Sequence, residues 1–396
     1  MKETVWTKKS TIFITAPKGL VPCLAEEVRQ YGYPVRAELD AAVETEGTLT
    51  DTMDLNLRLR TAHRVLYLVK EGRAKSPAEF YGLLSTLSWE EWIAADGYLC
   101  VTSTADTEAI KDSQFVNVKA KDAIVDRIRE KRGQRPDSGS DRTGAVVHIY
   151  WKEDKVRVFI DTSGEALSRR GYRKIPLQAP MQETLAAGVI LSTGWKGDGP
   201  FVNPMCGSGT LAIEAVLIAL NRAPGIQRSN FGFMHVMGYD AAVWKQWRLK
   251  VRAMEKKELS CPVIATDIRT EAVRAAQQNA RTAGVDHLIT FRRCPFEGTP
   301  VPEEKGIVIL NPGYGERMGA APELAITYRG IGDYFKSRCK GYRGYIFTGN
   351  FDLAKKVGLR TSRRMAFYNS DIECRLLEYE LYEGSRKTPS HEQGEK

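Results

Sequence analysis

Apolar positions along the chain recur with two different periods, and the changes of period predict the folded elements. The run TIFITAP (11–17) predicts a strand ended by a Pro/Gly turn, and LVPCLAEEVRQYGY (20–33) has apolar residues at helical spacing up to Gly32. A second strand–helix–strand cycle is predicted to about Arg60. From Val65 the pattern predicts strand, helix, strand, helix and two final strands, which together form a compact α+β module.

After residue 165 the pattern changes to short apolar strands that alternate with helices. The predicted strands are FVNPM, PVIATD, LITFRRC, GIVILNP and YIFTG, followed by RMAFYN and IECRLLEYELY. Continuous apolar strands between helices are typical of an α/β, doubly wound, mostly parallel sheet. Such sheets bind ligands beyond the carboxyl ends of their strands, so the residues that follow each strand are the candidates for chemistry.

Composition and charge narrow the class of partner. The 396 residues are 42% hydrophobic, which is enough for two or three globular domains. Residues 1–165 hold 24 Lys and Arg against 26 Asp and Glu, whereas residues 166–396 hold 34 against 23. This basic excess favours a polyanionic partner for the C-terminal part of the chain.

The segment SRRGYRK (168–174) is predicted to be a linker between the two parts. It concentrates four cations, namely Arg169, Arg170, Arg173 and Lys174. Two interpretations stay open, an exposed connector and a contact with RNA phosphates.

Seven scattered cysteines, with no C-x-x-C pair, indicate reduced thiols and no metal site. The opening MKETVWTKKS lacks the apolar stretch of a signal peptide, and the most apolar helix, around Leu211–Leu220, is interrupted by Glu214 and too short to span a bilayer. The sequence therefore predicts a cytoplasmic protein that does not enter a membrane.

A glycine-containing turn follows the first strand of the C-terminal part. The sequence Asn203-Pro-Met-Cys-Gly-Ser-Gly-Thr210 opens directly into a helix, so that Gly207 and Gly209 let the backbone approach a ligand whose anionic group would face the helix N-terminus. It is neither a Walker A loop nor a full G-x-G-x-x-G fingerprint. A plain strand-to-helix turn is the alternative.

The next strand ends at Asp267, whose carboxylate would lie beside the same crevice. At this position a carboxylate can accept hydrogen bonds from both hydroxyls of a ribose. The two features together predict a nucleoside ligand with an anionic tail. S-adenosylmethionine and a dinucleotide both fit that description.

The strand GIVIL runs into Asn311-Pro312-Gly313-Tyr314, and this segment favours a methyl donor. The Asn311 side-chain oxygen and the following carbonyl can both accept from a planar NH₂ and so aim its lone pair at an electrophilic methyl group, while Tyr314 stacks on the base. A structural turn is the alternative. No general base is required, because the proton can leave to solvent after the transfer.

Cys206 and Cys294 are candidates for a different chemistry, nucleophilic attack by a thiol. Either thiol could in principle attack a pyrimidine during carbon methylation, but neither has a His or Lys nearby in sequence to lower its pKa, and amine transfer needs no covalent adduct. The aromatic residues of the insertion at 221–258 are expected to pack in a core; they are Phe231, Phe233, Trp244 and Trp247.

Seven segments in combination resemble the THUMP-domain family of RNA guanine-N2 methyltransferases, in particular those that modify 23S ribosomal RNA. They are TAPKGL, LRLRTAHRVL, APMQETLAA, NPMCGSGTLAIEA, ATDI, NPGYGERMG and IECRL, and the resemblance extends from Thr11 to about Glu380. It implies a ferredoxin-like domain at 1–64, a THUMP RNA-binding domain at 65–165, and a linker with a Rossmann-like methyltransferase domain at 166–396.

The resemblance also implies roles for individual residues. Asn311, Pro312 and Tyr314 would form the catalytic segment. The S-adenosylmethionine site would include Gln182, Glu183, Thr184, Asn203, Cys206, Gly207, Gly209, Thr210, Asp267, Ile268, Cys294 and Asn311.

Two positions depart from the family pattern. The family usually has a second proline at Gly313, whose backbone is freer, and an Asp where this chain has Cys294-Pro295. These departures imply slower catalysis and weaker donor binding.

Several substrates and roles stay open at this point. The leading hypothesis is methylation of 23S rRNA, free or in a pre-50S particle, and the alternatives are transfer RNA as substrate and a catalytically weak RNA-binding protein of ribosome assembly. Adenine-N6 methylation shares the amine chemistry, although the THUMP-like module argues against DNA.

Overall fold

A computed structural model of the chain describes residues 4–110, 112–177, 181–313 and 321–382. The chain divides into two compact units. The first contains Met1–Lys174, Met181–Gly194 and Leu217–Glu258, and the second contains Ile175–Pro180, Trp195–Val216 and Leu259–Lys396. Each unit is built around its own sheet.

The first unit contains an eight-stranded sheet with the order β2-β3-β1-β4-β8-β7-β5-β6. Its strands are β1 (Ser10–Thr15), β2 (Ala37–Leu39), β3 (Ala42–Gly47), β4 (Arg64–Arg73), β5 (Tyr98–Asp106), β6 (Asp137–Gly139), β7 (Ala145–Lys152) and β8 (Lys155–Asp161). Strand β4 pairs with β1 through residues 64–67 and with β8 through residues 66–73. One long strand therefore joins the ferredoxin-like part to the part that follows it.

Among its described residues, this unit wholly contains six α-helices. They are α1 (Val21–Gln30), α2 (Leu49–Arg58), α3 (Pro77–Ser85), α4 (Ser113–Arg132), α5 (Glu183–Ser192) and α7 (Ala241–Ala253). Local sequence explains their ends: Thr48 and Asp51 form a capping box at the start of α2, and Gly133 ends α4 with a left-handed φ of 71°. Helices α5 and α7 were not expected from the sequence.

Two details differ from the predicted pattern. The predicted second strand–helix–strand cycle is present as β3, α2 and β4, but a short strand that was not predicted, β2, precedes it and pairs antiparallel with β3 across a connection of two residues. Residues Asp137–Gly139, where no strand was predicted, form the edge strand β6, parallel to β5. Its polar residues give no alternating apolar signal.

The insertion after α6 packs into the first unit through its aromatic residues. Phe231 and Phe233 stack with ring centroids 5.1 Å apart, and Trp244 contacts both rings edge-on at 5.4 and 5.0 Å. All three side chains are buried, so the predicted packing role is confirmed for them. Trp247 is only partly buried.

Two histidines in the first unit should make its stability depend on pH. Burial, with a smaller contribution from Arg64, lowers the pKa of His63 and of His148 to about 4. The unfolded chain, with a His pKa near ~6.5, then binds more protons between these values, so this stabilisation is lost as pH falls from about 6.5 to 4. Burial also raises the pKa of Glu27 and of Asp161. Comparing the wild type with His148→Gln separates the contribution of His148 to the pH dependence from the contributions of these two carboxyl groups.

We expect the melting-temperature advantage of the wild type over His148→Gln to shrink by roughly 5 °C between pH 7 and pH 4.5, as measured by circular dichroism. Gln246→Ala, at an exposed residue that does not titrate, serves as the control, and its difference from the wild type should stay constant. An advantage of His148 that is the same at both pH values would contradict the assignment.

The second unit contains a seven-stranded sheet with the order β11-β10-β9-β12-β13-β15-β14. Its strands are β9 (Phe201–Asn203), β10 (Val263–Asp267), β11 (Ile289–Arg293), β12 (Ile307–Leu310), β13 (Arg343–Thr348), β14 (Arg363–Asn369) and β15 (Ile372–Glu380). The first five are parallel, and β15 pairs antiparallel with β13 and with β14. The predicted doubly wound, mostly parallel sheet is confirmed.

The helices of this unit pack on an apolar sheet. They are α8 (Thr270–Ala283), α9 (Ala321–Arg338) and α10 (Phe351–Ala354), and α6 (Thr210–Ala219) begins in this unit. Val202, Val308 and Leu310 from the strands share a core cluster with Tyr328 and Phe335 of α9. In the part of the chain that the structure describes, no helix combines the length and apolarity needed to cross a membrane.

Candidate active site

The candidate site lies where β9, β10 and β12 end. Strand β9 pairs with both β10 and β12, and the chain moves outward from β9 in opposite directions, which makes the β9/β12 pair the topological switch point of the sheet. Crevices at such points hold ligands in doubly wound folds. Asn203, Asp267 and Asn311 stand at the carboxyl ends of these three strands.

The turn after β9 is held in a constrained conformation. Met205 has a φ of 56° and Gly207 a φ of 55°, both in the left-handed region. The Cys206 amide donates to Thr266 O at 2.8 Å, and Gly209 N donates to Cys206 O at 2.9 Å. Apart from Gly207 and its two chain neighbours, no described residue has an atom within 4 Å of where a Cβ on Gly207 would be, so this edge of the turn has room for a ligand.

Gly209 has a different role from the one expected. Its φ is 83°, and a Cβ at this position would meet the Ala276 side chain of α8 at 2.8 Å. Close packing against α8 therefore requires this glycine, whereas the sequence interpretation assigned it to the approach of a ligand. The neighbouring Thr210 is buried and begins α6.

Asp267 is fixed by the backbone on both of its carboxylate oxygens. Oδ2 accepts from Gly207 N at 3.0 Å, and Oδ1 accepts from Arg269 N at 3.0 Å. The residue is only 6% exposed. An ionised carboxylate has about four lone-pair sites, so Oδ2 retains acceptor capacity for a ribose hydroxyl. Oδ1 also accepts from Arg269 Nε at 3.4 Å, and this side chain would have to move before Oδ1 accepts from the second hydroxyl.

Asn311 follows β12 and carries an unsatisfied acceptor. Its Oδ1 is buried and has no hydrogen-bond partner among the described residues. Asn203 Oδ1, at the end of β9, is also buried without a hydrogen-bond partner among the described residues. Asn203 Nδ2 donates to Ile309 O at 2.9 Å and so bridges β9 and β12. A buried acceptor without a donor costs about 1–3 kcal/mol, so two of them at neighbouring strand ends suggest that a ligand supplies the donors.

Tyr328 contacts the segment that follows β12 and was not identified from the sequence. Its hydroxyl lies 2.6 Å from Thr348 Oγ1 and 3.4 Å from Gly313 O. Tyr328 is fully buried on α9. This contact restrains the backbone at Gly313, where the family has a more rigid proline.

Asn279 on α8 is a second supporting residue that the sequence did not reveal. Its Nδ2 donates to Ser208 O and to Ile175 O, both at 3.1 Å, and its Oδ1 accepts from Ile175 N at 3.1 Å. The amide therefore ties the glycine turn to the end of the linker. A single Asn in a helical pattern gives no signal for such a role.

The Cys206 thiol is not suited to nucleophilic attack. Cys206 is buried, and burial together with the carboxylate of Asp267 raises the pKa of its thiol, which keeps it protonated at neutral pH. Cys294 donates its backbone N–H to Asp267 O at 3.2 Å. Ile268, which follows Asp267, is 61% exposed and available to a ligand.

Two segments hold the remaining residues of the implied donor and catalytic sites. Gln182 precedes α5 in the first unit, where Glu183 is buried and pairs with Arg173 at 3.2 Å. Thr184 is fully buried, and its hydroxyl has no partner among the described residues. Pro312 is buried beside Asn311, whereas Tyr314 lies outside the described residues.

The linker cations differ from the expected phosphate-binding group. Arg170 is 2% exposed, and its guanidinium donates to Arg60 O at 2.6 Å, so the expectation that it contacts RNA is wrong. Arg173 is mostly buried in its ion pair with Glu183. Arg169 and Lys174 are exposed, with Arg169 paired to Glu165 at 2.8 Å, and their contact with RNA stays a prediction.

Adjacent arginines should therefore respond differently to substitution. We expect Arg170→Gln to lower the free energy of unfolding by about 2–4 kcal/mol, because it removes a buried charged donor from backbone carbonyls. Arg169→Gln is the matched control and should change stability by less than about 0.5 kcal/mol. Chemical denaturation measures both, and equal losses for the two variants would contradict the structural role of Arg170.

The fold and the strand-end site define a class I methyltransferase. Residues 170–378 match the family described as RMKL-like, methyltransferase domain, residues 11–66 match the RlmL ferredoxin-like domain, and residues 74–161 match the THUMP domain. The chain belongs to the RMKL-like methyltransferase family. The resemblance inferred from sequence motifs is confirmed.

Relatives and solved structures agree with this assignment. Proteins named ribosomal RNA large subunit methyltransferase K/L are 37% identical in Syntrophotalea carbinolica, over 94% of this chain and 53% of the relative, and 34% identical in Psychromonas ingrahamii, over 96% and 51%. This chain thus spans about half the length of these relatives.

Two solved structures are similar over nearly the whole chain. SMU.472, crystallised in complex with SAH, has a TM-score of 0.87 at 26% identity and covers 96% of this chain and 100% of its own. A possible methylase from Clostridium difficile 630 has a TM-score of 0.86 at 29% identity, with the same coverage.

Proposed function

We propose that this chain transfers a methyl group from S-adenosylmethionine to the exocyclic N2 amine of a guanine in 23S ribosomal RNA. The observation that carries the proposal is the buried, unsatisfied Oδ1 of Asn311 at the end of β12. The NH₂ group of a base amine is a planar hydrogen-bond donor, and this oxygen can accept a hydrogen bond from it. The family to which the chain belongs consists of methyltransferases.

The donor would occupy the ends of β9 and β10. Asp267, held by two backbone amides, would accept from the ribose hydroxyls, and the open edge at Gly207 leaves room for the methionine part. Asn203 Oδ1 would accept from a donor group of that part. When bound, S-adenosylmethionine supplies an electrophilic methyl group. The SAH complex of SMU.472 supports this choice of cofactor.

The chain's own contribution to catalysis is positioning. Asn311 Oδ1 and the Pro312 carbonyl would accept the two amine protons, which orients the nitrogen lone pair toward the methyl group. Extruding a base from its stack costs a few kcal/mol, and stacking of the base on an aromatic side chain such as Tyr314 recovers about 1–3 kcal/mol of that cost. The leaving proton passes to solvent, so no residue must act as a strong base.

RNA as the substrate is supported by the THUMP match and by the names of the relatives, which are ribosomal RNA methyltransferases. Guanine N2 as the acceptor rests on the motif resemblance around Asn311 and on the amine-accepting geometry. The three domains at 1–64, 65–165 and 166–396 would divide RNA binding from catalysis.

Methyl transfer to separate nucleic acids tests the proposal. The full chain is incubated with S-adenosylmethionine labelled in the methyl group and with unmodified 23S rRNA, a transfer RNA transcript or duplex DNA. The proposal expects label in 23S rRNA and little in the other two. Label that appears mainly in transfer RNA or DNA would overturn the assignment of substrate.

A further inference from the structure

The outward side of α7 and the residues just after it form a cationic surface in the first unit. Helix α7 contains four Lys and Arg and no Asp or Glu. The exposed cations of this surface, called here the α7 basic face, are Lys245, Lys250, Arg252, Lys256 and Lys257. Because α7 lies in the insertion, none of these residues belongs to the site described above.

The inward side of α7 fixes which residues face solvent. Trp244 and Val251 are buried, and Trp244 packs edge-on against Phe231 and Phe233. Arg248 is partly buried and donates to Ile226 O at 3.0 Å. Since these contacts hold one side of the helix against the core, the α7 basic face is presented to solvent by a rigid support.

The outward cations lack the acidic partners that surface helices usually have. None of the five makes a salt bridge with any residue in the described ranges. By contrast, α4 in the same unit pairs Lys121, Arg127, Arg129 and Lys131 with neighbouring carboxylates at 2.8 to 3.1 Å. The cations of the α7 basic face therefore lie outside ion pairs with the described residues, whereas four of the six cations of α4 are paired.

Aromatic and apolar groups are interleaved with the charges. Lys250 Nζ lies 4.7 Å from the centre of the partly exposed Trp247 ring, and Leu249 is 56% exposed. Clustered cations with an accessible aromatic ring are the signature of a nucleic-acid surface, where phosphates take the charges and a base can stack on the ring.

We propose that the α7 basic face binds the phosphate backbone of the substrate RNA, as a contact additional to the THUMP domain. The proposal rests on RNA as the partner in the proposed function. Thirteen residues of helix extend about 20 Å, which is long enough to follow several phosphates of one strand. The cluster of cations selects a polyanion over an apolar protein surface.

The salt dependence of RNA binding tests this surface directly. The triple variant Lys245→Gln, Lys250→Gln, Arg252→Gln is compared with the wild type for binding to unmodified 23S rRNA across a salt titration. We expect the slope of log K against log salt to decrease in magnitude by about 2, and affinity at 0.15 M salt to fall at least about tenfold.

A matched control removes the same charge from α4. The triple variant Lys121→Gln, Arg129→Gln, Lys131→Gln lies in the same unit, and its cations are already paired. It should change the slope by less than about 1. An unchanged slope in the α7 variant, or equal changes in both variants, would overturn the proposal.

A third measurement separates this proposal from the proposed function. Affinity for S-adenosylmethionine, measured without RNA, should be the same in the α7 variant and the wild type, with equal melting temperatures. A wild type that binds 23S rRNA but fails to methylate it would refute the proposed activity, and the salt slopes would still decide the role of α7. Reduced donor affinity or a lower melting temperature in the α7 variant would contradict a role confined to RNA.

Discussion

Replacing Asn311 by alanine is expected to lower the rate of methyl transfer by about 10²- to 10³-fold, as removal of one positioned catalytic hydrogen-bonding group does elsewhere. RNA affinity should change little, because one side chain contributes little to a large phosphate footprint. Single-turnover assays with saturating donor and RNA measure the rate, and filter binding measures the affinity.

The thermal stability of Asn311→Ala is a second, independent test of the functional role of Asn311. Asn311 Oδ1 is buried without a partner among the described residues, so its removal should leave the melting temperature unchanged or raise it. Asn311→Asp keeps an acceptor oxygen and should retain more turnover than Asn311→Ala. An alanine variant that turns over like the wild type, or one that loses activity only because it unfolds, would refute the amine-presenting role.

Replacing Asp267 by alanine is expected to raise the dissociation constant for S-adenosylmethionine by about 10²-fold or more. Two hydrogen bonds to a charged acceptor are each worth about 1.5–3 kcal/mol, and the variant also releases the amides of Gly207 and Arg269 that the carboxylate now holds. Isothermal titration calorimetry without RNA measures the change.

Asp267→Asn provides the comparison for this position. It preserves shape and one acceptor oxygen, so its donor affinity should lie between those of the wild type and the alanine variant. Affinity for 23S rRNA should be the same in all three proteins. If Asp267→Ala binds the donor as tightly as the wild type, the ribose site must lie elsewhere.

Much of this architecture could be predicted from the sequence because its signals are local. The strands that carry Asn203, Asp267 and Asn311 are continuous apolar runs bounded by turn residues, and a parallel sheet brings their carboxyl ends to one edge. The alternation of strands and helices predicted the doubly wound, mostly parallel sheet. The position of these three residues at that edge needed no further information.

Contacts between distant segments could not be predicted in the same way. Arg170 looked like a phosphate ligand because a run of cations has the same composition whether it is exposed or buried, and only the fold shows that Arg170 donates to Arg60 O. Asn279 and Tyr328 act through partners about 70 to 104 and 15 to 20 residues away, respectively. No pattern of period 2 or 3.6 reports such pairings.

The insertion at 221–258 also has a feature that the sequence did not predict. Three of the four aromatic residues of the insertion were correctly expected to pack, but the sequence did not show that α7 and the residues just after it would leave five cations without acidic partners among the described residues. Charge pairing on a surface depends on which carboxylates the fold brings near. That information is absent from the linear charge pattern.

The most direct test of the central claim is the identity of the methylated nucleoside. Unmodified 23S rRNA is treated with the wild type or with Asn311→Ala and with donor carrying a deuterated methyl group, then digested to nucleosides and analysed by mass spectrometry. The account predicts labelled N2-methylguanosine with the wild type and its near absence with Asn311→Ala. Label in N6-methyladenosine or a carbon-methylated pyrimidine, or equal labelling by both proteins, would contradict it.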